Sequence, residues 1–436
     1  MSARTGQHLD RSYDAAALRL REPARSEGEP EVDLTASLDR DAVVALAVAR
    51  SPALALVAHR ARALVHAGRA EGSLPPAELG FEAWNLPLTR PYAAGEADMY
   101  MVELRQRFPA AGSLDARARA MAEEAQAMLA ELSAEERLVA QRAADAFAEY
   151  VQAFTERGIQ QQQLALLERM GQATRARYTT GGSGLADAAR IDIEIAKAQR
   201  SLARIEGDSA RARAALNAVL RRPVGAPLGE PRKLAPETVR LPLDELLARA
   251  ESNRGPTLAA DARLRAAGAR REAVEAEARI PEFMVGLGYW QDPRMRPGVG
   301  VTASMSLPWL WGPGRHRMAQ AQEEEAAERA ARDGAGLEAQ AEVSEAYARL
   351  AAFEQQLLVV RRQALPAARR SIDALTAAFS TGNASLLEWV DAARSVLDLE
   401  MEAADLHGQL SHGIAALERA VGALLPRVAL ELEQTP

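Results

Sequence analysis

Apolar and polar positions in this chain follow two different periods, and the switch between them separates helices from strands. Leu365, Ala368, Ile372, Leu375 and Phe379 recur at alternating steps of three and four, the seam of a coiled coil. Ile191, Ile195, Ala198, Leu202, Ile205, Ser209, Ala212, Leu216 and Val219 repeat that rhythm, as do Val396, Leu399, Ala403, Leu406 and Leu410. Four shorter stretches alternate with period two. Leu79, Phe81 and Ala83 oppose Glu78, Gly80 and Glu82, and Tyr100, Val102 and Leu104 oppose Glu103, Arg105 and Arg107. Phe283, Val285, Leu287 and Tyr289 oppose Met284, Gly286 and Gly288, while Val299, Val301, Ala303, Met305 and Leu307 oppose Gly300, Thr302, Ser304 and Ser306. This predicts strand pairs at 77–86 with 97–108 and at 281–291 with 298–308, each with one apolar face.

The pattern occurs twice. "YTTGGSGLADAAR" from Tyr178 returns as "FSTGNASLLEWVDAAR" from Phe379, and "RSPALALVAHRARAL" returns as "RGPTLAADARLRAAG". "RFPAAGSLDARARA" likewise matches "SLPWLWGPGRHRMA". Landmarks in the same order about 200 residues apart mark a tandem duplication. The predicted organisation is an extended or disordered segment 1–37, a first repeat 38–222, a proline-rich linker 223–242, a second repeat 243–425 and a tail 426–436. Helices over 113–177 and 314–378 are each on the order of 100 Å long. Those over 38–72, 185–222, 243–279 and 385–424 are about 50 to 60 Å, so two short helices match one long one. The repeated Gly181 and Gly382 stand where a long helix must reverse, since glycine takes the left-handed C-cap conformation at little cost. Ser385 and Glu388 suit the next helix's start.

Composition narrows the class. The chain is 48 % hydrophobic but only 4 % aromatic, so its helices pack through narrow alanine-rich seams rather than a thick core. A net charge of −7 argues against a general nucleic-acid partner, which needs a basic face. Cysteine is absent, which removes disulfides and thiolate metal sites. The first residues lack the apolar core of a secretory signal, so the chain is cytosolic or is numbered from beside its export signal. No run reaches 18 apolar residues without charges, which excludes transmembrane helices. Each strand is about 10 residues, enough to cross a bilayer when tilted. Trp84, Tyr92, Tyr100, Tyr289, Trp290, Trp309 and Trp311 cluster near strand ends, as an aromatic girdle would. Four strands cannot close a barrel, and an open edge is not tolerated in lipid, so three copies would make 12 strands.

On these features the chain resembles the TolC-like outer-membrane efflux family, over about residues 38 to 425. The resemblance rests on the aromatic-x-x-Gly tips, the proline-marked strand exits and the closing "ALERAVGALL". It implies a fold that is mainly α with a small β part, a tandem duplicated repeat. The long coiled-coil helices would form one third of a trimeric α-barrel, and the four strands would join a shared 12-stranded transmembrane β-barrel. It further implies a homotrimer in the outer membrane of a Gram-negative bacterium, in contact with outer-membrane lipid and with its helical part in the periplasm. Such a channel is the passive exit duct of a tripartite efflux or type I secretion system, fed by an inner-membrane pump, of RND or ABC type, through a periplasmic adaptor protein. Mapped onto this chain, the periplasmic gate comprises Glu388, Asp391 and Asp187, although acids in a helix's first turn also simply complement its dipole. The family's basic residue near the second tip is replaced by Ala384. The adaptor-docking tips map to Tyr178, Gly181, Leu185, Phe379, Gly382 and Leu386.

Other chemistry is discounted. His407 and His412 do not share a helix face, and His59 and His66 lie about 10 Å apart along theirs, too far to hold one ion. Met99, Met101, Met284, Met295 and Met305 fit period-two packing better than soft-metal handling. No catalytic set, phosphate loop or cofactor motif is present in the sequence, so no enzyme activity is expected. The competing reading, a soluble coiled-coil scaffold with two surface β-hairpins, has no need for an apolar face on all four strands.

Overall fold

The computed structural model describes residues 34–85, 97–179, 184–232, 235–292, 296–310 and 312–431. Most of segment 1–37, Tyr92, Met295, Trp311 and Gly181 lie outside the described residues. The first repeat contains α1 (Arg40–Ala49), α2 (Pro52–Glu71), β1 (Glu78–Trp84), β2 (Met99–Phe108), α3 (Ser113–Thr179) and α4 (Leu185–Val219). After β3 (Glu237–Val239) the same order returns: α5 (Leu243–Asn253), α6 (Gly255–Arg279), β4 (Phe283–Gln291), β5 (Gly298–Met305), α7 (Gly314–Val359), α8 (Leu365–Thr381) and α9 (Leu386–Val421). A final strand, β6 (Arg427–Ala429), pairs antiparallel with β3. The chain is thus mainly helical, with a small β part and a duplicated plan.

Proline modifies the expected helices. The stretches read as single helices over 38–72 and 243–279 are each broken, at Ser51 before Pro52 and at Arg254 before Gly255–Pro256. Proline disfavours the helical region for the residue before it and supplies no N–H, so each break falls just ahead of one. The second long helix contains a π-helical turn, Val360–Ala364, immediately before Pro366. One extra residue per turn there removes the clash between the proline ring and the carbonyl four residues back.

The chain forms two compact units that cut across the repeats. One contains Ala55–Leu132 and Gly255–Gly336. Its four-stranded antiparallel sheet has the order β1-β2-β4-β5, so the two hairpins join through β2 and β4. Below the sheet the helices meet through small residues: Ala127, Ala259 and Ala262 form one buried seam, Val65 and Ala125 another. Flanking the alanine seam, arginine and glutamate pair between α3 and α6, as in Arg119–Glu272 (2.6 Å), Arg270–Glu124 (2.6 Å) and Arg265–Glu123 (2.8 Å). Half-exposed pairs of this kind contribute about 0–1 kcal/mol each, so they fix register more than stability.

The second unit contains residues 34–54, Ser133–Arg254 and 337–431 among those described. It has three apolar clusters. One gathers Leu246, Val343, Leu350, Leu357, Leu410 and Leu417; a second gathers Leu38, Val43, Phe147, Leu216 and Leu220. The third joins Leu167, Met170 and Ile191 to Ile372, Phe379, Leu386 and Trp389. The β3–β6 clasp is tied to α7 where the Thr238 hydroxyl donates to Glu354 Oε2 (2.7 Å). Arg427 donates to both oxygens of Glu418 on α9, at 2.9 and 3.1 Å. Burial pushes the Glu418 carboxyl up against the opposing pull of Arg40.

Candidate functional sites: the sheet faces and the helix tips

Register assigns every strand side chain to a face. Leu79, Leu104, Leu287 and Val301 form one rung across four strands, and Phe81, Val102, Tyr289 and Val299 form the next. Phe108, Phe283 and Met305 align further along. These side chains are exposed, from 40 % at Phe108 to 75 % at Leu79. Phe81 and Tyr100 stack with ring centroids 6.1 Å apart. A contiguous apolar surface of this extent marks an interaction surface rather than a solvated one.

The other face carries Glu78, Gly80 and Glu82, then Glu103 and Arg105, then Gly286, Gly288, Gly300 and Thr302. Glu103 is only 3 % exposed. Its carboxylate accepts from Arg105 Nε (2.8 Å) and from the Thr302 hydroxyl (2.5 Å), and Arg105 also reaches Glu82 (3.3 Å). The expected aromatic girdle is therefore only partly on the apolar face. Tyr100 and Tyr289 lie there, whereas Trp290 occupies the polar-face rung with Glu82 and Met101, and Trp84 pairs with Met99 on that same face. An alternating strand sends each neighbour in sequence to the opposite face, so Tyr289 and Trp290 cannot both belong to one girdle. Among the described residues β1 pairs only with β2 and β5 only with β4, which leaves both sheet edges open.

At the second tip, Gly382 takes φ 82° and ψ 9° and closes α8. Its N–H donates to Phe379 O (3.1 Å), and that of Asn383 to Ala378 O (2.8 Å), the paired bonds of a left-handed helix cap. α9 then opens on a capping box. The Ser385 hydroxyl accepts from Glu388 N–H (3.2 Å), and Glu388 Oε2 accepts from Ser385 N–H (2.9 Å). The Ser385 backbone and hydroxyl bonds hold the Glu388 carboxyl below its usual range. Beneath the turn Trp389 is fully buried and donates its indole N–H to the Thr376 hydroxyl (2.8 Å).

The first tip is described up to Thr179 and again from Gly184. Arg177, near the end of α3, places its guanidinium 4.8 Å from the centroid of the Phe379 ring and donates to the Phe379 carbonyl. On α4, Asp187 stands in the first turn. Two turns further, Glu194 accepts from Arg394 Nη2 of α9 (2.6 Å) and from Lys197 (2.9 Å). Burial alone would raise the Glu194 carboxyl, but these hydrogen bonds outweigh it and its pKa is lowered.

The two repeats' tips are thus joined by side chains that periodicity did not single out: Arg177, Glu194, Trp389 and Arg394. Of the mapped docking residues, Tyr178 and Leu185 are exposed, whereas Phe379 and Leu386 are buried at 6 % and 2 %. The exposed neighbour is Leu387. Of the mapped gate acids, Asp391 is exposed and lies 3.7 Å from Arg394. Among the described residues no cluster of three or more potential ligands could hold a metal ion.

Residues 246–423, nearly the whole second repeat, match the outer membrane efflux protein family. Among curated proteins none matches the chain in sequence. Among solved structures the fold is similar to that of CusC, at 17 % identity and TM-score 0.76, covering 92 % of this chain and 96 % of that one. It is similar also to VceC, an outer membrane protein of Vibrio cholerae (19 %, TM-score 0.73, 88 % and 96 %). The open-state MtrE outer membrane channel of Neisseria gonorrhoeae is a third such structure (18 %, TM-score 0.70, 95 % and 100 %).

Proposed function

We propose, on the premise that the second repeat carries the outer membrane efflux protein pattern and the whole chain the fold of such channels, that the protein is an efflux channel of a Gram-negative outer membrane. The observation that carries this reading is the sheet. Its large apolar side chains project outward, its charged and glycine positions lie opposite, and both of its edges are open. In water, each such leucine or phenylalanine forgoes about 1.5–3 kcal/mol of burial. In lipid the same arrangement is stable once the edges are paired.

Three copies pair those edges and close a 12-stranded barrel. The helical part then stands in the periplasm and meets an adaptor protein, itself attached to an inner-membrane pump of RND or ABC type. At the tips, Tyr178, Leu185 and Leu387 are the side chains free to dock. Gly382 supplies the turn at the second tip. Phe379 and Leu386 act from within, as the floor of that surface. Threefold symmetry would turn Glu388, Asp391 and Asp187 into rings of carboxylates, which attract cations and resist closure when ionised. The capping box and the Arg394 contact are compatible with this, because both leave the Asp391 carboxylate largely exposed.

Purified protein added to a planar bilayer tests the reading. Discrete conductance steps from a trimer are expected, blocked from the tip side by divalent cations. Replacing Glu388 and Asp391 by alanine should relieve the block. A monomer that opens no conductance would contradict the channel, and an unchanged block would remove those two acids from the constriction.

A further inference from the structure

Of the two tryptophans on the polar face of the sheet, Trp290 does not stand up from it. The indole of Trp290 lies across the neighbouring strand, over Gly298 and Gly300. A Cβ placed at Gly300 would come within 2.3 Å of ring atom Cζ3, and one at Gly298 within 2.6 Å of Cε2. A ring cannot yield at such separations as the tip of a flexible chain would, so any side chain at either position must lift the indole. Glu103 behaves alike on the adjacent rung. Its side chain drapes over Gly288 and Gly286, and its carboxylate is fastened to Arg105 and Thr302. Two side chains that would otherwise project lie flat, each on a pair of glycines.

We propose that the stacking of Trp290 on Gly298 and Gly300 sets the width of the passage and hence the size of solute that crosses the barrel. The inference rests on the channel reading, in which the polar face lines the lumen. Twelve strands about 4.8 Å apart and tilted about 40° place the backbone on a circle about 24 Å across, before side chains narrow it. Three indoles raised from that wall would obstruct on the order of half of the remaining opening. Folded down, they withdraw from it and widen the passage for bulkier solutes.

Single-channel conductance of the full-length protein in planar bilayers tests this with three variants. Gly300→Val should lower conductance about twofold, Trp290→Ala should leave it near wild type, and the double variant should restore it. If Gly300→Val does not assemble, Gly298→Ala, whose Cβ would meet the same ring within 2.6 Å, takes its place with the same expected loss of conductance. A large rise in conductance for Trp290→Ala would show that the indole already stands in the passage and would overturn the proposal. A double variant as narrow as Gly300→Val would overturn it too. A wild-type protein without conductance refutes the channel reading, whereas a conducting wild type with three unaltered variants refutes this inference alone.

Discussion

Phe81 and Phe379 are the same residue in opposite circumstances. Phe81 sits midway along an edge strand of the sheet and is 68 % exposed; Phe379 sits at the exposed end of a helical hairpin and is 6 % exposed. In the helical unit the large apolar side chains turn inward: Trp389, Phe147 and Leu357 are all but fully buried, and charged residues cover the outside. In the sheet the order is reversed. Leucine, valine and phenylalanine project outward, while glycine and a fastened glutamate fill the other face. On the proposed channel reading, each arrangement minimises free energy in its own surroundings, the first in water and the second in hydrocarbon, and one chain is built for two solvents.

The contrast can be broken from either side. The largest effect is expected at the helical end, where Trp389→Ala removes a fully buried ring together with its bond to Thr376. A loss of about 3–5 kcal/mol is expected in denaturant unfolding. A loss under about 1 kcal/mol would mean that the tip cluster does not hold the two repeats together. Next is Leu287→Arg, at the centre of the apolar face. A lipid-facing strand should lose about 2–4 kcal/mol and assemble poorly in the outer membrane. A water-facing one would change by no more than about 0.5 kcal/mol.

The smallest expected effect sharpens the helical side. His412 on α9 bonds Asp145 on α3 through Nδ1 (2.6 Å), and this bond, against burial, raises the imidazole pKa. Glu149 and Asp405 add to the rise. Because the folded pKa is the higher one, the stabilisation is complete below the unfolded imidazole's value and disappears as pH rises through the folded one. His412→Gln should therefore cost stability at about pH 5 and almost none at about pH 9. A loss of equal size at both would assign His412 a packing role only.

Much of this was legible in the sequence, because periodicity is a statement about faces. The three-four seams and the four alternating stretches gave the class, the duplication and the apolar side of each strand. Periodicity does not name the neighbour that covers a face. Phe379 already stands in a helical seam, yet its burial depends on Leu167 and Met170 of the other repeat, about 200 residues away. The same distance in sequence hid the Arg177–Phe379 and Arg394–Glu194 contacts. The helix breaks ahead of Pro52 and Pro256 are legible in the sequence, because proline constrains the residue before it. Trp290 suits a girdle by residue type alone, whereas strand alternation puts it on the opposite face.

The central claim is that the two faces of the sheet meet different solvents. The absence of native cysteine allows one nitroxide label at a time, at Leu287→Cys on the apolar face and at Arg105→Cys on the polar one. Spin relaxation in reconstituted membranes then compares collision with lipid-soluble oxygen and with a water-soluble metal complex. The account predicts oxygen-dominated relaxation at 287 and metal-dominated relaxation at 105. Equal access of the water-soluble reagent to both positions would contradict it.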